Sequence, residues 1–195
     1  MKKVFLKKLK HFSKQMKIKK TKIKDLFLIE PTIYKDQRGY FLESFNQKIF
    51  SNLTKIKTNF VQDNQSCSSK AVLRGLHFQN PPYAQAKLVS VIKGGVIDVA
   101  VDIRKDSTTY GEYVMEELNG ENHLMMYIPE GMAHGFITLE NNTIFTYKCS
   151  NYYNKESEDS LIWNDPDIGI KWPNIPPILS EKDKNAKKFA SFVSK

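Results

Sequence analysis

A chain of 195 residues with 41% hydrophobic side chains can close one sizeable core and is short for two. Its formal net charge of +9 would point to nucleic acid if it covered a face, but residues 1–24 hold 11 lysines and no acidic residue, and setting these aside leaves 19 basic residues against 21 acidic. The body is therefore nearly neutral, no nucleic-acid partner is expected, and no stretch approaches the roughly 20 apolar residues of a membrane span.

Taken in chain order, the first element is the basic start. Phe5, Leu9, Phe12 and Met16 recur at the spacing of an amphipathic helix with lysines between them. Two readings stand, a helix lying on an anionic surface and a mobile extension ahead of a shorter chain beginning at Met16. The second is the ordinary one, giving residues 1–20 as a basic N-terminal extension and 21–195 as the folded domain. Lysines interrupt every apolar run, so there is no signal-peptide pattern, and a cytoplasmic protein without stable membrane association is expected. Cys67 and Cys149 match no metal or redox motif and read as reduced, structural thiols.

From residue 25 to 172 the pattern is short apolar or alternating runs broken by Gly, Pro, Asn and Asp. Strands are predicted at 26–30, 38–45, 71–78, 85–92, 96–103, 110–117, 123–128 and 143–150, with helices only at 46–53 and 181–193. In the clearest strand Ile97, Val99, Val101 and Ile103 share one face and Asp98 and Asp102 the other. Many short strands at close spacing predict an all-β fold, a sandwich or a double-sheet jelly roll with short flanking helices.

Several side chains carry chemistry. His77 sits in a run that is apolar except for Arg74, where an imidazole serves either as a satisfied core residue or as a general base. Period two puts Arg74 and His77 on opposite faces unless Gly75 hosts a bulge. Tyr147 shares parity with Phe145 and Cys149, so it points inward and its hydroxyl needs a partner. Lys87 lies on the face of Val89 and Val91. It is either an exposed edge residue or an ammonium that meets an anion such as an enolate oxygen. His134, between Gly131 and Gly135, is expected in a tight turn at a barrel mouth. Ser180 to Asp183 has the form of a capping box, and Asp183 either belongs only to that cap or reaches a histidine and orients it. With no His-x-His pair and no clear third ligand, no metal is expected.

Five separated motifs in one order resemble the dTDP-4-dehydrorhamnose 3,5-epimerases of the cupin-type jelly roll: residues 36–44 (DQRGYFLES), 61–64 (VQDN), 73–79 (LRGLHFQ), 133–136 (AHGF), and the pair 163–166 (WNDP) with 179–183 (LSEKD). The resemblance covers about residues 21–184. It implies inversion of C3 and C5 of a nucleotide-linked 4-keto-6-deoxy sugar, with His77 as base, Asp183 as its carboxylate partner, Tyr147 as acid and Lys87 at the enolate oxygen. Arg38, Glu43, Gln62, Asn64, Arg74, His134 and Glu158 match binding residues, and Tyr153 matches a ring that stacks on the base. The resemblance also implies no cofactor, and a homodimer in which Arg38 and Glu43 serve the neighbouring site. A single-centre epimerase, a ketoisomerase on a related nucleotide sugar, and a non-catalytic sugar-nucleotide binding module remain the alternatives.

Overall fold

The computed structural model describes residues 16–192, and antiparallel strands dominate that span. The strands are β1 (Lys17–Lys20), β2 (Phe27–Glu30), β3 (Ile33–Asp36), β4 (Gly39–Leu42), β5 (Gln62–Ser68), β6 (Leu73–Gln79) and β7 (Lys87–Lys93). They continue with β8 (Gly95–Asp102), β9 (Tyr113–Asn119), β10 (Met125–Ile128), β11 (Met132–Thr138), β12 (Thr143–Cys149) and β13 (Glu158–Ser160). Helix α1 spans Gln47–Thr54 and α2 spans Glu181–Lys184. One sheet has the order β1-β2-β10-β7-β12-β5, a second β13-β6-β11-β8-β9, and β3-β4 stands apart as a hairpin. Two facing antiparallel sheets of this kind form a cupin-like jelly roll, as expected.

Strand alternation divides the side chains into three layers. Between the sheets lie Val89, Val91, Val96, Ala100, Met126, Met132, Phe136 and Phe145, with Phe136 stacked on Phe145 at 4.1 Å. On the outer face of the five-stranded sheet, Val99, Val101 and Ile103 pack with Leu76 and Phe78 under the C-terminal segment carrying Ile168, Trp172 and Phe192. Behind the six-stranded sheet, Phe27, Leu88 and Tyr127 pack against Phe50 of α1. That helix starts where the Asn46 side chain accepts a hydrogen bond from the Ile49 N–H, and stops at Lys55, whose φ of 62° is left-handed.

The structure revises several expectations. Lys17–Lys20, assigned to the extension, is a strand hydrogen-bonded to β2, while residues 1–15 with their amphipathic spacing lie outside the described region. The helix expected over 181–193 is a single turn followed by a 3-10 turn at Phe189–Ser191, because Lys187 forms a bridge to Leu161 that breaks the helical path. His134 is in β11, not a turn. Gly131, with φ of +78°, makes the turn, and Gly135 sits mid-strand because a Cβ there would stand 2.7 Å from the Arg74 carbonyl oxygen. Lys87 is not at an edge, since β7 runs between β10 and β12 and the residue is 9% exposed.

Candidate active site

The site forms at one end of the space between the sheets, where inward positions turn from apolar to polar. Along β7 the inward series Val91, Val89 is continued by Lys87, and along β12 Phe145 is followed by Tyr147 and Cys149. From the opposite sheet β6 contributes His77 and Gln79, and β13 contributes Glu158. Gln62 and Asn64 of β5 complete the wall. These residues, with Phe78, Gln85 and Tyr153, line a cleft of about 340 Å³.

A β-bulge sets the orientation of β6. His77 pairs with His134, but Arg74 pairs with Phe136, so three steps on β6 match two on β11 and the register shifts between them. Paired residues in an antiparallel ladder share a face, so Arg74 and His77 both turn inward. Gly75 makes this geometry available: its φ is +127° and a Cβ would meet the Gly135 Cα at 2.5 Å. Arg74 stays at the rim, donating from Nε and Nη2 to the Ser68 hydroxyl at 3.2 and 3.1 Å.

His77 Nε2 lies 2.6 Å from Asp183 Oδ1. Asp183 reaches it because Ser180 caps α2 by accepting the Asp183 N–H, which places the carboxylate over β6. Both functions expected of this segment are present, the cap on Ser180 and the histidine contact on Asp183. Burial disfavours the Asp183 charge, but the hydrogen bond and charge of His77, with Ser180 and Lys182, hold its carboxyl below the ordinary carboxylate value. An ionised Asp183 accepts the Nε2–H, leaving Nδ1 as the basic nitrogen.

Tyr147 is half-buried, and burial holds its hydroxyl above the ordinary phenol value. It makes no hydrogen bond to a described residue, so the proton is available in the cleft. Lys87 lies at the floor with Nζ 3.4 Å from the His77 carbonyl oxygen, and burial lowers its pKa against the opposing charges of Cys149, Asp98 and Glu158.

Gln62, Asn64, Tyr153 and Glu158 line the same cleft. The Tyr153 N–H donates to Gln62 Oε1, its hydroxyl donates to Glu158 Oε2 at 3.1 Å, and Glu158 also meets Lys182 Nζ at 2.6 Å. His134 is beneath the surface, 6% exposed, with Nε2 3.0 Å from Asp98. Arg38 and Glu43 do not line this cleft: Arg38 sits in the β3–β4 turn, bound to Asp36 at 2.5 Å, and Glu43 follows β4 on the surface. Gln79, Gln85 and Cys149 are additional lining residues. Each lies two positions from a predicted one, so period two held the signal. Among the described residues no three His, Cys, Asp or Glu side chains gather as metal ligands, and no helix is long and apolar enough to cross a membrane.

The arrangement is a base, a phenolic acid and a cation around one small cavity, a set suited to moving protons beside a carbonyl. Comparison with known proteins agrees with that chemistry. Residues 20–191 match the family model for dTDP-4-dehydrorhamnose 3,5-epimerase. The Shigella flexneri enzyme of that name is 51% identical over 174 residues, covering 89% of this chain and 96% of the relative. The crystal structure of the Elizabethkingia anophelis enzyme superposes with a TM-score of 0.86 at 53% identity, covering 90% of this chain and 97% of that one. A Legionella pneumophila 3,5-epimerase in complex with dTDP-4-keto-L-rhamnose superposes with a TM-score of 0.88 at 49% identity, covering 91% and 95%.

Proposed function

The chain belongs to the dTDP-4-dehydrorhamnose 3,5-epimerase family, and from that premise we propose that its cleft inverts C3 and C5 of dTDP-4-keto-6-deoxy-D-glucose, giving dTDP-4-keto-L-rhamnose. The observation that carries the assignment of roles is the placement of His77 and Tyr147 on facing sheets across one cleft, with Lys87 at its floor. His77, held by Asp183, takes the proton from carbon next to the C4 ketone. The electron pair moves onto the ketone oxygen, where the Lys87 ammonium stabilises the enolate. Tyr147 then donates its proton to the opposite face of the same carbon, which reverses the configuration, and solvent exchange resets His77 and Tyr147. Repetition at the second α-carbon completes the double inversion.

The nucleotide end is assigned to the polar rim. Tyr153 offers a ring 56% exposed, and its fixed hydroxyl holds it upright for stacking on the base. Arg74 supplies a planar guanidinium for the pyrophosphate, and Gln62, Asn64 and Glu158 complete the contacts to sugar and nucleotide, with His134 buried behind the cleft wall rather than on it. Arg38 and Glu43 lie outside their own cleft and are assigned to the site of a second copy in a homodimer.

Incubation with dTDP-4-keto-6-deoxyglucose in heavy water, followed by NMR and mass analysis, tests this reading. Deuterium at both C3 and C5 is expected. Label at one carbon would replace it with a single-centre epimerase, and binding without label with a sugar-nucleotide binding module.

A further inference from the structure

Strand β8 turns Val96 and Ala100 into the core between the sheets, and the residue between them on that face is Asp98, with no exposed surface. An ionised carboxylate in such a place needs hydrogen bonds and a counter-charge. Its hydrogen bonds among the described residues go to one group, His134 Nε2, at 3.1 and 3.0 Å from the two oxygens. His134 is itself buried, and burial lowers its pKa, with Asp98 opposing and Lys87 and His77 adding to the shift. The Nε2–H that His134 donates to the Asp98 carboxylate fixes the ring, which stands opposite His77 in the β6–β11 ladder.

The buried cation that can answer the carboxylate's charge is Lys87 on the other sheet. The titratable groups around Lys87 are Cys149 and Tyr147 on β12, His77 on β6, His134 on β11, Glu158 on β13 and Asp98 on β8. Two of them are carboxylates. Glu158 is already matched by Lys182 at 2.6 Å, whereas among the described residues Asp98 meets no lysine or arginine, only the His134 imidazole. We propose that Asp98 is a positioning residue of the reaction: it holds the His134 imidazole through Nε2–H and supplies the buried negative charge that faces the Lys87 ammonium. The inference rests on Lys87 as the cation at the enolate oxygen.

The sign of the consequence follows from the charges. Burial pulls the Lys87 pKa down and Asp98 works against it, so the ammonium is lost as pH rises and this loss forms the alkaline limb of turnover. Removing the Asp98 charge moves that limb to lower pH.

The test compares wild type, Asp98→Asn and His134→Gln by their kcat profiles against pH, with deuterium uptake at C3 and C5 measured alongside. For Asp98→Asn, the alkaline limb is expected about one pH unit lower, with kcat at neutral pH reduced roughly tenfold and KM changed less than about threefold. For His134→Gln, which keeps the carboxylate, kcat falls but the limb stays in place. An Asp98→Asn profile that superimposes on wild type after scaling overturns the inference, and so does a His134→Gln limb displaced by a full unit. If Asp98→Asn fails to fold, the His134→Gln limb alone decides on the same criterion. Absence of exchange in the wild type would remove the functional reading and this inference with it, whereas normal wild-type exchange with an unmoved limb removes only the role of Asp98.

Discussion

At the scale of the residue, the division of labour between His77 and Tyr147 gives distinguishable variants. His77→Ala removes the group that takes the proton, so turnover and deuterium uptake should fall together, by on the order of a thousandfold. Tyr147→Phe leaves the base, the Lys87 cation and the cleft in place. Exchange of the substrate's α-hydrogen with heavy water should therefore outlast epimerisation, with product formation reduced roughly a hundredfold or more. Equal loss of both signals in Tyr147→Phe would show that the phenol is needed before the proton leaves, against its role as the returning acid. Asp183→Asn keeps the shape but replaces the acceptor that fixes the Nε2–H tautomer of His77. It should lower kcat about 10- to 100-fold with little change in folding temperature, measured by steady-state kinetics and thermal melting.

At the scale of the element, β6 shows how a local irregularity builds the site. Gly75→Ala would place a methyl group 2.5 Å from the Gly135 Cα and 2.8 Å from the His134 carbonyl oxygen, backbone atoms that cannot swing aside. The expected cost is about 2–4 kcal/mol, a fall in melting temperature on the order of 10 °C, with activity reduced further because His77 follows two residues later. A variant with unchanged melting temperature and turnover would show that β6 does not need the bulge. The sequence made the strands with clear alternation legible, and those strands carry His77, Lys87 and Tyr147. Strand β5 was not legible because its inward face holds Gln62, Asn64 and Ser66, which line or adjoin the cleft, while Asp63 and Gln65 face outward, so neither face is apolar. Strand β11 was obscured because Gly135 serves close approach to β6, whereas a glycine in sequence reads as a turn. The two inward positions that break the apolar pattern on β8, Asp98 and Asp102, were visible as a shared face, but their depth was not. Asp102 is held at a pKa of about 2, because hydrogen bonds from Arg104, Ser107 and Thr109 outweigh the burial that opposes its charge.

At the scale of the whole molecule, the hairpin β3–β4 is the feature that a single chain leaves without use. It forms a separate two-stranded sheet, exposes Tyr40 and Phe41 at 55% and 64%, and carries Arg38 near its tip, away from the cleft of its own chain. Large exposed aromatics just after a charged residue suit a contact with a second copy, and a two-fold interface would let each hairpin serve the other's site. Subunit mixing tests this directly. Arg38→Ala and His77→Ala homodimers should each be strongly impaired, the first because both sites lack the arginine, the second because both lack the base. In a mixed dimer, the chain bearing Arg38→Ala keeps His77 and receives Arg38 from its neighbour, so one of the two sites is complete. Random reassortment of equal amounts makes half the dimers mixed, and recovery of about a quarter of wild-type turnover is expected. If Arg38 served its own chain, no site in the mixed dimer would gain what it lacks beyond what each chain already has: the His77→Ala site would keep Arg38 without the base, the Arg38→Ala site the base without Arg38, and mixing would recover nothing above the average of the two homodimers.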